Sequence, residues 1–409
     1  MPLRRLLALL ATLLSTLAMA SEVSPPESPQ IVNFRRVIFR LLAPKAKSVI
    51  LKGIHRSYEE MTRDRDGVWS VTIDHLDPGI YEYSFVVDGQ QMIDPSNPEV
   101  KPGTNPGRSV LEISTNTPLF YQWKNVPHGT VHMHSYYSES LKRRRRLRVY
   151  TPPGYERDEN HRYPVLYLFH GSGDTEATWT DFGRAHVIPF GSDTPKLASA
   201  LFCNLLNSYS ENASGLAPRF FTLDNLIAAG KSVPMLLVMP DGHADLQEED
   251  GDHKENFLKF EADLLSSVLP LVDETYRAIA KPEGRAINGL SLGGMQSLEI
   301  GINHPDLFAY IGGMSAYVPM AEDLLAKGFA NKHFNDQIKL LWISIGKDDF
   351  LLKDAEAFHA LLNKHGIHSQ WTLTKGEHEW AVWRGYLRDF APLLFHQDNL
   401  ENPPVKTSN

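Results

Sequence analysis

The sequence predicts an α/β protein, in which a large domain with a mostly parallel sheet follows a small all-β domain. Two observations lead to this prediction. In the later part of the chain, continuous apolar runs that end in loops alternate with segments of helical periodicity, which is typical of strands buried on both faces of a parallel sheet. Between residues 31 and 115, short alternating strands are instead separated by Gly-containing turns, and no helical pattern intervenes.

The first twenty residues have the pattern of a secretion signal. Arg4 and Arg5 give the positive start, residues 6–17 form the apolar run, and Ala18-Met19-Ala20 is a small-residue cleavage site. The apolar run is too short to span a bilayer. We therefore expect a secreted or periplasmic mature chain, which begins with a flexible leader at 21–30 that is rich in Ser, Pro and Glu.

The composition is that of an ordinary globular protein. Of 409 residues, 42% are apolar and 22% are charged, so a large core can be buried. The net charge of −8 argues against nucleic acid or an anionic membrane as a general partner. The basic run 142–146 leads into an alternating strand and is interpreted as solvated charge on a hairpin.

The single cysteine, Cys203, permits no internal disulfide and is expected to be a buried free thiol. The oligomeric state is not indicated.

Residues 31–115 are predicted to fold as a small immunoglobulin-like β-sandwich. Strands are expected at 37–42, 48–51, 68–73 and 80–87, with Asp-Gly and Pro-Gly turns between them. Several aromatic side chains could stack on sugars, but they alternate along the strands as core residues do: Trp69, Tyr81, Tyr83 and Phe85. Two turn-rich runs, 94–98 and 101–107, could instead lean over the active site of the large domain.

The large domain is organised around Ser291, which lies in the motif Gly289-x-Ser291-x-Gly293. A short, mostly apolar strand ends just before the motif, and a helical pattern follows it. A hydroxyl is a weak nucleophile, so it must be presented on a tight strand-to-helix turn where a base can reach it. The crowding of such a turn requires small residues two positions to either side. The motif also occurs by chance, so its partners decide the interpretation.

Asp349 is the predicted acid, with Asp348 as the alternative. The apolar run 340–345 ends in Gly346, Lys347 and the two aspartates, so a carboxylate emerges at the carboxyl end of a buried strand. Ligands bind at this end of the strands in parallel sheets. The chain order serine, acid, histidine is that of α/β hydrolases.

His378 is the predicted base among seventeen histidines. It follows a strand expected at 371–374, comes after the acid, and precedes a helix that is expected to begin near Trp380. A neutral imidazole takes the serine proton, and a carboxylate fixes its tautomer and stabilises the imidazolium that forms.

The oxyanion hole is predicted from two backbone segments. One donor is the N–H of the residue after the nucleophile, Leu292, and the other comes from the loop that follows strand 165–169. The sequence does not decide among the amides of Gly171, Ser172 and Gly173. Two aromatic residues are expected to contact the substrate: Trp179 and Trp380.

No metal and no cofactor are predicted. Antiparallel strands expected through 128–131 and 136–138 open the large domain, and His132 and His134 would share a strand face with metal-like spacing. A third ligand is not near in sequence, so a structural role is favoured. The acidic stretch 245–252 misses the spacing of a calcium loop.

Segments spread over nearly the whole mature chain resemble the family that groups feruloyl and acetylxylan esterases with enterochelin esterases and mycolyltransferases. In the large domain the matching segments are 149–155, 170–173, 289–294, 346–349 and 378–380. The N-terminal part resembles the early-set, immunoglobulin-like domain of many such esterases, related to glycogen-binding modules, at 39–44, 67–69 and 78–83. The resemblance implies an α/β-hydrolase fold with Ser291, Asp349 and His378 as nucleophile, acid and base.

These patterns divide the chain into a signal peptide (1–20), a leader (21–30), the sandwich (31–115) and an esterase domain (119–397). An insertion near 188–221 departs from the family pattern after the oxyanion strand. It could cap the acyl pocket or be a surface loop, and it puts in doubt any substrate carried over from shorter relatives.

The expected function is that of an exported serine carboxylesterase. The resemblance implies feruloyl or acetyl esters of plant polysaccharide, so the expected partner is a carbohydrate-linked ester. Within the same chemistry, a periplasmic esterase for catecholate siderophores is the first alternative and acyl transfer to a sugar the second. An alternative of another class is a glycan-binding protein whose hydrolase domain is only a scaffold.

Overall fold

The computed structural model describes residues 25–33, 35–54, 58–115, 117–183, 222–244 and 253–396. Several predicted features lie outside the described residues: the signal peptide, residues 21–24 of the leader, Cys203, the insertion at 188–221 and the acidic stretch 245–252.

The chain divides into two compact units. The first consists of the chain up to Val100 together with Gly107–Ile113, and the second consists of Lys101–Pro106 and the chain from Ser114 onward. The short segment Lys101–Pro106 thus belongs to the second unit, although it lies between strands of the first in the sequence.

The first unit contains two antiparallel sheets, with strand orders β1-β2-β6-β5 and β4-β3-β7-β8, and β9 pairs with β7. In Arg36–Leu42 and Val49–Lys52, buried positions alternate with less buried ones, because one side of each strand faces the core of this unit. The strands are β1 (Gln30–Asn33), β2 (Arg36–Leu42), β3 (Val49–Lys52), β4 (Tyr58–Glu60), β5 (Thr62–Arg63), β6 (Val68–Ile73), β7 (Gly79–Val87), β8 (Gln90–Met92) and β9 (Ser109–Ile113).

Aromatic side chains fill the core of the first unit, as the alternation predicts. The rings of Phe39 and Tyr83, from different sheets, meet edge to face at 4.8 Å. Trp69, Tyr83 and Phe85 are buried, which confirms the core interpretation over a sugar-binding platform for these three. The carboxylate of Asp94 is also buried, and it accepts hydrogen bonds from Ser28 and Tyr83, so the turn that follows it is tied into this unit. The immunoglobulin-like assignment itself stays a prediction.

The second unit is built on an eight-stranded sheet of order β10-β11-β13-β12-β14-β15-β16-β17. β11 runs antiparallel to both of its neighbours, and β12 to β17 run parallel, as the continuous apolar runs predict. The strands are β10 (Thr130–Ser138), β11 (Arg143–Thr151), β12 (Val165–Phe169), β13 (Leu236–Pro240), β14 (Arg285–Gly289), β15 (Tyr310–Met314), β16 (Leu340–Gly346) and β17 (Gln370–Thr374).

The first strand of this sheet differs from the expectation of separate strands at 128–131 and 136–138. A single strand, β10, pairs with β11 at every position, because alternation continues through the intervening histidines. His132 and His134 do share a face. Both imidazoles are hydrogen-bonded within the protein. The His132 Nε2 lies 3.1 Å from the Thr151 hydroxyl, and the His134 Nε2 lies 2.5 Å from the Tyr276 hydroxyl.

Helices and a π-helical turn connect the parallel strands, and the functional loops follow the strands at one edge of the sheet. Among the described helices, none combines the length and apolar character needed to cross a bilayer. The helices are α1 (Thr178–Asp181), α2 (Thr222–Ala228), α3 (His253–Asp263), α4 (Leu269–Thr275), α5 (Leu292–Asn303), α6 (Ala321–Leu324), α7 (Ala326–Ala330), α8 (Phe334–Gln337), α9 (Leu352–Lys364) and α10 (Trp380–Phe390), and the π-helical turn is Leu264–Val268.

Helix α5 buries a carboxyl group, Glu299, which is 1% exposed. Its Oε1 accepts a hydrogen bond from the Asn303 amide at 3.1 Å. Burial, and secondarily the nearby Glu261, raises the pKa of Glu299 to about 8. A raised pKa in the folded state means that the neutral acid is favoured there. The resulting stabilisation is full below the ordinary pKa of the carboxyl and is lost as pH rises through about 8.

Glu299→Gln should therefore stabilise the protein at alkaline pH. The amide is neutral at every pH, so the difference in unfolding free energy between variant and wild type should grow by roughly 2 kcal/mol or more from pH 5 to pH 9. Urea denaturation at both pH values measures it. A difference that does not change with pH would contradict a raised pKa at Glu299.

Candidate active site

Ser291 occupies a strained corner between β14 and α5. Its backbone has φ 51° and ψ −119°, a region that residues with a side chain rarely adopt. Two hydrogen bonds hold the corner against the neighbouring strands. The Ser291 N–H donates to the Met314 carbonyl at 2.9 Å, and the Leu290 N–H donates to the Phe169 carbonyl at 3.2 Å. The hydroxyl is thus presented at the end of the sheet, as the motif predicts.

The two glycines of the motif are required by space. A Cβ atom at Gly289 would lie 2.5 Å from the backbone of Gly293, and one at Gly293 would lie 2.4 Å from the His170 carbonyl oxygen. Backbone atoms cannot yield as a flexible side chain can. The sequence therefore has glycine on both sides of Ser291, while the strained conformation falls on the serine itself.

The structure brings the three predicted catalytic residues together. His378, on the loop after β17, has its Nε2 3.0 Å from the Ser291 Oγ and its Nδ1 3.0 Å from both carboxylate oxygens of Asp349. Between the two candidate acids, Asp349 has a fully buried carboxylate, whereas the Asp348 side chain is 53% exposed and lies near Lys347. Of the two, Asp349 is therefore the one whose carboxylate contacts the imidazole, and its role as the acid stays a prediction.

The carboxylate of Asp349 is kept ionised by the groups around it. Burial alone would raise the pKa of Asp349, but hydrogen bonds from His378, the Leu351 N–H and the Ser315 hydroxyl together hold it below its ordinary value. A buried carboxylate with this many donors stays charged at neutral pH. It can therefore orient the imidazole and stabilise its protonated form.

Ser315 was not among the predicted site residues. It directly follows β15 and is fully buried, with φ 49°. Besides donating to Asp349, its hydroxyl accepts the indole N–H of Trp383 at 2.9 Å. A signal was present in the sequence, because a polar residue at the carboxyl end of the strand beside β14 must lie at the same edge of the sheet.

The imidazole of His378 lies between two aromatic rings. The Trp383 ring meets it edge to face at 4.9 Å, and the Phe350 ring lies 4.5 Å away on a tilted plane. Trp383 is buried, whereas Phe350 is 73% exposed. An apolar ring of this size, open to solvent beside the imidazole, provides a surface on which a ligand can pack.

Of the predicted oxyanion donors, the structure brings two next to Ser291. A Cβ atom at Gly171 would lie 3.4 Å from the Ser291 Cβ, so the Gly171 backbone adjoins the nucleophile. Leu292 is the first residue of α5, where backbone N–H groups have no partner within the helix. Ser172 and Gly173 lie further along the loop and are exposed. Oxyanion binding by any of these amides stays a prediction.

A buried polar cluster joins the loops after β12 and β13. The Nδ1–H of His170 donates to the Gly171 carbonyl at 2.8 Å, and its Nε2 accepts the Gly242 N–H at 2.8 Å. The Gln296 amide on α5 donates to the Gly242 carbonyl at 2.9 Å. The loop beside the nucleophile is thereby connected through Gly242 to the helix that carries it.

The same cluster includes the one group of described residues with metal-ligand geometry: His170, Asp241 and His243, whose ligand atoms lie within 4.8 Å of one another. The protein already occupies these atoms. The Nε2 of His170 accepts a backbone N–H, and the Arg145 guanidinium lies 4.0 Å from the Asp241 carboxylate. A guanidinium at that point opposes the binding of a cation. The donors therefore fit a role in holding the loop better than a metal site.

The two tryptophans expected to contact the substrate are buried. Trp179 is 1% exposed and donates its indole N–H to the Phe169 carbonyl, and Trp380 is 4% exposed. Their rings pack edge to face at 4.9 Å, and Phe182 packs on Trp380 as well. In this structure neither ring is open to solvent, so their contact with a substrate stays a prediction and packing is the role that the geometry gives them.

Residues 138–393 match the model of a family described as "Putative esterase". The endo-1,4-beta-xylanase/feruloyl esterase of Xylanibacter ruminicola is 28% identical over 380 residues, which cover 90% of this chain and 46% of that protein. The chain thus spans about half the length of this curated relative.

Solved structures show the same fold at low identity. A ferulic acid esterase of the anaerobic fungus Anaeromyces mucronatus, in complex with ferulic acid, aligns with a TM-score of 0.51 at 22% identity over 70% of this chain and 98% of that one. The enterochelin esterase of Shigella flexneri aligns with a TM-score of 0.59 at 18% identity over 89% and 94%.

Ser315→Ala should weaken the site without removing any of the three predicted catalytic groups. The Asp349 carboxylate loses one donor, and a bond to a charged group contributes about 1.5 kcal/mol or more, so kcat/KM on a p-nitrophenyl ester should fall about tenfold. The bond from Ser315 helps to hold the pKa of Asp349 below its ordinary value, so its loss should raise that pKa. On acidification, activity should therefore begin to fail at a higher pH than in wild type. Rate profiles between pH 4 and pH 8 measure both effects.

Trp383→Phe is the matched comparison. It removes the N–H that Ser315 accepts but leaves the bond from Ser315 to Asp349, so its loss should be smaller than that of Ser315→Ala. Equal losses would show that the hydroxyl does not act through Asp349.

Proposed function

The chain belongs to the esterase family, and we propose that it is a carboxylic ester hydrolase whose nucleophile, base and acid are Ser291, His378 and Asp349. The observation that carries the proposal is the position of the His378 imidazole, with one nitrogen 3.0 Å from the serine Oγ and the other 3.0 Å from the carboxylate. Family membership supports ester hydrolysis, and this geometry supports a serine mechanism.

In the proposed mechanism, the Ser291 Oγ attacks the ester carbonyl while His378 Nε2 takes its proton. Backbone N–H groups, those of Gly171 and Leu292 in this proposal, donate to the oxyanion that forms. The C–O bond to the alcohol then breaks, and the imidazolium gives its proton to the leaving alcohol. Water attacks the acyl-enzyme with its proton passing to His378, and the carboxylic acid leaves as the proton returns to Ser291.

The proposed substrate is a feruloyl ester on a plant polysaccharide. The Xylanibacter relative is named as a xylanase and feruloyl esterase, and the Anaeromyces structure contains ferulic acid. Phe350 favours an aromatic over an acetyl group, because its exposed ring lies beside the imidazole where an acyl group must approach. With the predicted signal peptide, we propose that the enzyme acts outside the cytoplasm.

A catecholate siderophore ester is the second candidate. It also carries an aromatic acyl group, so Phe350 suits it equally. The observation that favours it is the extent of the structural likeness, because the Shigella enterochelin esterase aligns over 89% of this chain, whereas the Anaeromyces enzyme aligns over 70%. Comparing kcat/KM for methyl ferulate, acetylated xylan and enterobactin discriminates the candidates. A sugar acceptor that is acylated faster than water would instead indicate acyl transfer.

Ser291→Ala should lower kcat on a p-nitrophenyl ester by about 10⁴-fold or more, because the variant has no nucleophile, while its unfolding transition stays cooperative. A fluorophosphonate should label wild type at Ser291 and leave the variant unlabelled. Ser266→Ala, at an exposed position of the π-helical turn, is the matched control and should keep full activity. Hydrolysis that survives in Ser291→Ala would rule out Ser291 as the nucleophile, whereas a wild type that hydrolyses no ester would leave the glycan-binding scaffold as the better interpretation.

Phe350→Ala should discriminate between acyl groups. Loss of an aromatic contact is worth about 0.5–1.5 kcal/mol, so kcat/KM for methyl ferulate should fall about three- to tenfold, whereas that for p-nitrophenyl acetate should change little. Phe350→Tyr keeps the ring and should keep activity on both esters. Parallel losses on ferulate and acetate would mean that Phe350 supports His378 and does not select the acyl group.

A further inference from the structure

The segment Lys101–Pro106 is part of the second unit although it lies in sequence between β8 and β9 of the first. The chain leaves the first unit at Val100 and re-enters it at Gly107. Fixing these six residues in the second unit costs conformational entropy, which specific contacts must offset. We therefore expect Lys101–Pro106 to make specific contacts within the second unit.

These contacts converge on the loop after β12, the stretch Gly171–Asp174. The Thr104 N–H donates to the Gly173 carbonyl at 2.9 Å. The backbones approach so closely that a Cβ atom at Gly103 would lie 2.9 Å from the same carbonyl oxygen, which accounts for glycine at that position. Further along, the Thr178 hydroxyl donates to the Pro102 carbonyl at 3.3 Å.

Lys101 adds an ion pair to this loop. Its Nζ lies 3.3 Å from the Asp174 Oδ1, and the two side chains are 19% and 7% exposed. The ammonium also lies over the rings of Phe182 and Trp380, at 5.1 and 5.8 Å from the ring centroids. An ion pair that is largely shielded from water and rests on aromatic faces is held more firmly than an exposed one. The buried Trp380 thus supports the lysine.

Asp174 leads directly to the nucleophile. Its N–H donates to the Gly171 carbonyl at 3.2 Å, which closes the loop into a turn. A Cβ atom at Gly171 would lie 3.6 Å from the Asp174 carboxylate and 3.4 Å from the Ser291 Cβ. The charged partner of Lys101 and the serine therefore flank the same glycine.

We propose that Lys101 is a positioning residue for ester hydrolysis, which acts through Asp174 to fix the loop whose Gly171 N–H binds the oxyanion. The proposal rests on the proposed function. It extends the set of residues on which hydrolysis depends to one that the sequence places between strands of the first unit. Because an oxyanion exists only in the transition state and in tetrahedral intermediates, a loop held less firmly should lower kcat and leave substrate binding nearly unchanged.

Lys101→Met tests the proposal, since it keeps the unbranched stem over the rings and removes the charge. We expect kcat on methyl ferulate or a p-nitrophenyl ester to fall about ten- to hundredfold, while KM changes less than about threefold. Lys101→Arg should restore most of the rate. Lys142→Met removes a lysine from an exposed ion pair with Glu139 and is the matched control, with an unchanged rate.

A double-mutant cycle with Asp174→Asn shows whether Lys101 acts through that carboxylate. If it does, the double variant should be no slower than the slower single variant.

Hydrogen exchange of the peptide that covers Gly171–Asp174 provides a readout independent of activity. Its amides should exchange faster in Lys101→Met than in wild type and in Lys142→Met.

An unchanged kcat and unchanged exchange in Lys101→Met would overturn the proposal, as would a rise in KM at constant kcat, which would indicate direct substrate contact. If Lys101→Met does not fold, Asp174→Asn decides by the same criteria. Failure of the proposed function is seen separately. In that case wild type hydrolyses no ester or Ser291→Ala retains activity, and the exchange experiment still reports whether Lys101 holds the loop.

Discussion

The structure of the site depends on the close approach of backbones at the corner between β14 and α5. The atoms around Gly289 and Gly293 leave no space for a Cβ atom, so the turn can close this tightly only with glycine at both positions. The closure forces Ser291 into a backbone conformation that costs about 1–3 kcal/mol. Hydrogen bonds to the Phe169 and Met314 carbonyls, on both neighbouring strands, offset that strain. The serine hydroxyl is therefore held by the sheet and not by its own loop.

The rest of the site follows from the topology of six parallel strands. Each of them, from β12 to β17, ends at the same edge of the sheet, and each contributes a group to the loops gathered there. In chain order after the strands these groups are Gly171, Gly242, Ser291, Ser315, Asp349 and His378. Loops of a few residues suffice because the strand ends have already brought their backbones together. This explains how a constellation drawn from over two hundred residues of chain acquires contacts of about 3 Å.

Patterns that are local in the sequence were sufficient to predict the sheet and the three central residues, because strand periodicity and the order of Ser291, Asp349 and His378 are local or sequential properties. They were not sufficient for features that arise from packing. The burial of Trp179 and Trp380 depends on side chains that are distant in sequence, and Ser315 acquires its partners only when β15 pairs with β16. The assignment of Lys101–Pro106 to the second unit is of the same kind, since no periodicity or turn pattern distinguishes it from its neighbours.

That assignment bears on how such enzymes are inherited and recombined. A unit whose residues are contiguous in the gene can be exchanged as a cassette by a single crossover. Here a crossover near residue 114 would transfer the whole eight-stranded sheet of the second unit but would leave Lys101–Pro106 behind with the first unit. A chimera made at that junction would lack the ion pair to Asp174 and the amide bonded to Gly173. Because Lys101–Pro106 is encoded between two segments of the first unit, exchange of one unit alone would alter the other. Selection on one unit therefore constrains the other.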